Sequence, residues 1–209
     1  MPSSDAPCTV VYASPPQLSV TIESAGQGWG LIMQSGVIVP CTVGIPLKTL
    51  LREEFGLTPE QTGRIDVMLL NGKPVDTPET VIVPHGARLA LAAGLPGIAG
   101  LSMKIGSAVR GLRPGITFRK DETETATPSP GEVELALFSM ALGLLAEHFL
   151  ARGVILRAKQ FASYARRAKD EYCLFCEQQS SLAVVLEKFI RLPEDTPVLL
   201  TVRTAAYSE

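Results

Sequence analysis

An Asn-Gly pair at positions 71 and 72 restricts the possible folds more than any other feature of the chain. It follows directly on Ile65-Asp66-Val67-Met68-Leu69-Leu70, a run of branched and apolar residues with the character of a strand. Asn and Gly most readily supply the two positive φ angles of a tight type I′ turn, so the chain is expected to reverse here. Lys73-Pro74-Val75 returns briefly, Pro84-His85-Gly86 turns again, and Ala87 to Ala93 reads as a closing strand. A glycine-rich exit follows, Gly94-Leu95-Pro96-Gly97-Ile98-Ala99-Gly100.

Upstream, residues 1–17 carry Pro2, Pro7, Pro15 and Pro16 among serines and read as a loose lead-in. Leu18, Val20 and Ile22 alternate with polar residues, the pattern of a half-buried strand. The glycines of Gly26-Gln27-Gly28-Trp29-Gly30 lack the third, spaced glycine and the following helix that a dinucleotide phosphate site requires. Leu31-Ile32-Met33 and Val37-Ile38-Val39 have strand character instead, so a hairpin is expected. Pro46 to Phe55 predicts a helix: proline suits its first turn, Leu47, Leu50, Leu51 and Phe55 share one face, and Gly56 ends it. Thr58-Pro59-Glu60-Gln61 starts a second short turn before the strand at Ile65.

The order strand, strand, helix, strand, short return, strand resembles the β-grasp of the ubiquitin-like sulfur-carrier proteins, the ThiS/MoaD family. The resemblance covers Leu18 to about Gly100. It is carried by Leu70-Asn71-Gly72-Lys73-Pro74-Val75 and Val83-Pro84-His85-Gly86-Ala87. It implies a mixed sheet crossed by one amphipathic helix. Members of that family end in a free Gly-Gly whose carboxylate is adenylated and converted to a thiocarboxylate. Here the matching stretch has no Gly-Gly pair and half of the chain still follows, so the resemblance extends to the fold and not to the reaction. Cleavage near Gly97 or Gly100 would be needed to expose such an end, and a sulfur-carrier precursor is kept as an alternative.

Leu101 to Lys120 is glycine-spaced and basic, with Lys104, Arg110, Arg113, Arg119 and Lys120 and no acidic residue. Guanidinium and ammonium groups beside glycine-rich turns can hold a phosphate or carboxylate, which makes Lys104, Arg110 and Arg113 the candidate ligand-binding residues. A solvated connecting arm would have the same composition. Residues 121–131 (DETETATPSPG) read as an exposed linker. The expected organisation is a lead-in at 1–17, a β-grasp domain with its basic arm at 18–120, the linker at 121–131, and a small α+β domain at 132–209. The fold class is α+β. In the last domain Glu132 to Arg152 predicts a helix apolar on almost every side, Val154 to Lys159 a strand, Arg166 to Glu171 a polar turn, Tyr172 to Cys176 a strand, Ser180 to Leu192 a helix, and Pro197 to Arg203 a final strand. A helix apolar all round needs more cover than one small sheet provides, so either the β-grasp unit of the same chain or, by preference, a homodimer through 132–152 is expected to cover it.

Cys173 and Cys176 form the one motif with intrinsic chemistry. A thiol-redox role needs the first cysteine at a helix N-terminus, whereas in a strand the two would point to opposite faces and share neither a metal nor a disulfide. His148 beside Glu147 could form a proton-transfer pair, but a lone histidine is more often structural. A net charge of −2 argues against a dedicated nucleic-acid binder. The longest uncharged apolar run is too short to span a bilayer, and the first residues lack the features of a secretory leader, so a cytoplasmic location is expected. No cofactor or metal is implied. The reading is a non-catalytic β-grasp protein that binds a protein partner or a small anionic ligand, with the precursor and the thiol-redox protein as alternatives.

Overall fold

The computed structural model describes residues 15–22, 29–108, 117–118, 127–172 and 187–204. Its strands are β1 (Gln17–Ile22), β2 (Val37–Val43), β3 (Val67–Leu70), β4 (Lys73–Pro74), β5 (Ala87–Ala93), β6 (Ser129–Ser139), β7 (Val154–Arg157) and β8 (Pro197–Thr204). The helices are α1 (Leu47–Thr49, continued by Leu50–Glu54 at wider π pitch), α2 (Pro59–Gly63), α3 (Gly97–Met103), α4 (Met140–Arg152) and α5 (Ala158–Tyr172). All eight strands join one mixed sheet in the order β1-β8-β7-β2-β6-β5-β3-β4. The β1/β8 and β5/β6 pairs are parallel and the others antiparallel. Class α+β describes this arrangement.

The Asn-Gly turn forms as its residues require. Asn71 has φ 50° and Gly72 φ 78°, and Leu70 pairs with Lys73 across them. Asn71 also fixes the register of the next strand. Its Oδ1 accepts from Arg88 N at 2.9 Å, and its own N donates to Arg88 O at 2.8 Å.

Side-chain alternation decides which face of the sheet is covered. Val37, Val39 and Val43 of β2, Leu89 and Leu91 of β5, Val133, Leu135 and Leu137 of β6, and Val198 and Leu200 of β8 are all buried. The expected apolar face of α1 lies among them: Leu47, Leu50, Leu51 and Phe55 are each no more than 1% exposed. Removing such a side chain from water contributes about 1.5–3 kcal/mol. Helix α4 packs on β5, β6 and β8, and α5 on β7. α2 begins with a reciprocal cap. Thr58 Oγ1 accepts from Gln61 N at 3.1 Å, and Gln61 Oε1 from Thr58 N at 2.9 Å.

The largest departure from the sequence reading is the helix expected at Glu132 to Arg152. Its first part is strand β6, and the helix starts at Met140. Val133, Leu135 and Leu137 are spaced by two, which puts them on one face of a strand but on opposite sides of a helix. The open positions beside β2 and β5, with seven residue pairs on each side, select the extended form. Ser139 (φ 53°, ψ −136°) makes the break between strand and helix. β6 buries Val133, Leu135 and Leu137, and α4 buries Ala141, Leu145, Ala146, Phe149 and Leu150, while Phe138 and Met140 stay exposed.

Further corrections have similar causes. Leu31-Ile32-Met33 belongs to a short 3₁₀ helix, Trp29–Ser35, that packs Trp29, Ile32 and Met33 into the core instead of forming a hairpin. The strand expected to end at Lys159 stops at Arg157. Gln160 Oε1 accepts from Arg157 N at 2.9 Å and starts α5, which runs through the expected polar turn to Tyr172. The final strand forms, as Pro197–Thr204. Of the helix expected at Ser180 to Leu192, helical residues 187–190 are described. Ser129, Pro130 and Gly131 of the expected linker pair with Val43, Thr42 and Cys41, so strands from both halves of the chain alternate in the sheet.

Candidate functional site

Helix α1 and strand β3 border a cleft of about 520 Å³ at the β4 end of the sheet. Its floor is apolar, with Leu51 from α1, Ile65 and Met68 around β3, and Ile105 beyond α3. Its rim carries Lys48, Arg52 and Lys104 together with the carboxylates Asp66 and Glu79. Lys48 and Arg52 stand four residues apart on α1, which puts both on its outward side once Leu47, Leu50 and Leu51 are buried.

Asp66 ties the cleft to the glycine-rich exit. Its Oδ2 accepts from Gly94 N at 2.9 Å, its Oδ1 lies 2.9 Å from Lys104 Nζ, and its backbone O accepts from Ile105 N at 2.8 Å. The Gly94 amide, then Lys104, hold the Asp66 carboxyl below the ordinary carboxylate range, against a smaller opposing effect of burial. Across the cleft Lys48 Nζ lies 3.0 Å from Glu79 Oε1. The Glu79 carboxyl is lowered by its own backbone amide and then by Lys48. Two lysines are thus each matched by a carboxylate. Arg52 is exposed and, among the described residues, no carboxylate lies within ion-pair distance of it. It also lines the adjoining hollow formed with Pro46, Thr49, Glu53 and Leu57.

Of the ligand-binding residues expected from sequence, Lys104 is on the cleft, and Arg110 and Arg113 lie outside the described residues. Cys173 and Cys176 also lie outside them. Gly97 and Gly100, the expected cleavage positions, belong to α3. A Cβ on Gly100 would sit 2.1 Å from Leu95 O, so this glycine is needed for close backbone packing. Lys48, Arg52, Asp66 and Glu79 were not legible as a group, because they converge from separate segments. The one local signal was the pair of cations four apart on a helix whose other face is apolar.

The opposite side of α1 is closed by α4. His148 Nε2–H donates to Phe55 O at 2.6 Å, Arg152 donates to Glu54 O, and Glu54 Oε2 accepts from Thr42 N at 2.8 Å. Phe55 and Phe149 meet edge to face with centroids 5.1 Å apart. His148 therefore caps the end of α1. Buried Cys41 nearby has its thiol pushed up to about 11, by burial first and then by Glu54, and is held protonated at neutral pH.

Among the described residues no cluster of His, Cys, Asp or Glu could hold a metal ion, and no helix is long and apolar enough to cross a membrane. The large apolar side chains exposed among them are Leu101, Phe138 and Met140. No family model matches the chain, and no curated protein or solved structure is similar to it at a level that shows a relationship.

Proposed function

We propose that the chain is a non-catalytic binding protein whose cleft between α1 and β3 takes a small anionic ligand. The observation that carries this reading is the Arg52 guanidinium, unmatched among the described residues, at the rim of a cleft with an apolar floor. A guanidinium presents a planar fork of donors that suits a carboxylate or phosphate, and it stays charged at any physiological pH. A volume of about 520 Å³ lies in the range of small-molecule sites. Backbone amides first, and Lys104 and Lys48 second, hold the Asp66 and Glu79 carboxyls low, which makes them weak proton acceptors and supports binding rather than acid–base chemistry.

For the fold we propose a β-grasp-type core of β2, α1, β3, β4 and β5 completed by β6. What supports it is the position of β6, antiparallel to β2 and parallel to β5, with α1 crossing the covered face. On this reading the sulfur-carrier resemblance concerns architecture, with one strand drawn from the second half of the chain. Calorimetric titration of inorganic phosphate and of acetate into the wild type and into Arg52→Ala tests the ligand reading. Binding of one or both anions that is lost in Arg52→Ala is expected. No binding of any anion by the wild type, or equal binding by the variant, would overturn it.

A further inference from the structure

We infer that the cleft selects an apolar monocarboxylic acid, an anion with one charged head and a hydrocarbon body. The inference rests on the anion-binding reading above and adds the ligand's class. Charge matching sets the head. Lys48 is held by Glu79 at 3.0 Å and Lys104 by Asp66 at 2.9 Å, so among the described residues the rim offers one cation in excess, Arg52. A second negative charge on the ligand would meet only lysines already neutralised by Asp66 or Glu79. A single carboxylate meets the guanidinium fork without disturbing either pair.

The floor sets the body. Ile105, Pro59 and Pro78 give the cleft its accessible hydrocarbon, above the buried side chains of Leu51, Ile65 and Met68. Covering Ile105, Pro59 and Pro78 removes apolar surface from water on both partners. Each methylene added to the ligand therefore tightens binding by about two- to fourfold until the floor is covered. Inorganic phosphate and short dicarboxylates gain nothing from this surface, and an alcohol of equal length gains the floor without the fork.

The experiment is a calorimetric series on the full chain with acetate, butyrate, hexanoate and octanoate, each below its micelle concentration, plus hexanol, succinate and phosphate. The expected result is affinity rising with chain length, hexanoate at least tenfold tighter than hexanol, and succinate no tighter than acetate. Arg52→Ala should bring hexanoate down to the level of hexanol, and Arg52→Lys, which keeps the charge and loses the fork, should fall between. Phosphate and acetate binding as tightly as octanoate, all lost in Arg52→Ala, would overturn the ligand class and leave the anion reading standing. Hexanol matching hexanoate, or an unchanged Arg52→Ala, would overturn both. The wild-type series decides the class by itself should a variant fail to fold.

Discussion

Helix α1 has two polar margins built from the same residue types, and they have opposite fates. On one side Glu54, His148 and Arg152 meet around the last turn of the helix, beneath the aromatic contact of Phe55 with Phe149. There the polar groups are spent on backbone atoms: Glu54 on the Thr42 amide, His148 and Arg152 on the carbonyls of Phe55 and Glu54. On the other side Lys48, Arg52, Asp66, Glu79 and Lys104 border an open cleft, their ion pairs are exposed, and Arg52 has no carboxylate partner among the described residues. Exposed pairs contribute about 0–1 kcal/mol each, so this margin adds little to stability. The contrast teaches that residue type does not mark a site. What separates the two margins is whether a second helix closes over them and whether the charges are balanced.

The strongest way to break the contrast is to remove the cover. A chain truncated after Lys120 loses α4 and also β6, leaving β2 and β5 with unpaired edges in the middle of the sheet. Loss of cooperative thermal unfolding is expected. A sharp transition in circular dichroism would mean that the first half holds together without its borrowed strand. Phe149→Ala is the next largest change. Phe149 is fully buried against Phe55, and its removal should cost about 3–5 kcal/mol in urea unfolding. A loss below about 1 kcal/mol would show that α4 does not seal this side.

Glu54→Ala should cost less, about 1–2 kcal/mol, since it leaves the part-buried Thr42 amide without its acceptor. A neutral outcome would place water where Glu54 now sits. The smallest effect belongs to the open margin and depends on pH. The Asp66 carboxyl is lowered in the folded chain, so its contribution is present above the ordinary carboxylate value, near pH 4, and is lost as pH falls from there toward its folded value. Asp66→Asn should remove that part of the acid slope while leaving the rest of the stability curve parallel to wild type. An unchanged acid slope would mean that the Gly94 amide and Lys104 do not hold the carboxylate in solution.

Local chemistry was legible where a few adjacent residues decide the outcome. The Asn71-Gly72 turn, the buried face of α1 and the final strand follow from turn chemistry and from the spacing of apolar residues. The region 129–139 was not, because Val133, Leu135 and Leu137 run without a break into the apolar residues of α4 and read with them as one helix apolar on almost every side. The choice was made by hydrogen-bonding edges contributed by β2 and β5, about a hundred and about fifty residues away in sequence. The cleft was legible in one residue, Lys104, picked for its basic and glycine-rich surroundings. Its partner Asp66 looked like one position in a strand pattern, and Arg52 like the polar side of a helix. Neither carries a local sign that they share a cleft.

The most direct test compares ligand-induced stabilisation in two variants, one from each margin of α1. A ligand that binds the folded chain raises its melting temperature in proportion to RT ln(1 + [L]/Kd), whatever the starting stability. With octanoate in excess, the wild type should gain several degrees. Arg52→Ala should start from the wild-type melting temperature and gain nothing, whereas Glu54→Ala should start lower and gain as much as the wild type. A full gain in Arg52→Ala, or a gain lost in Glu54→Ala, would contradict the assignment of the open margin to binding and the sealed one to structure.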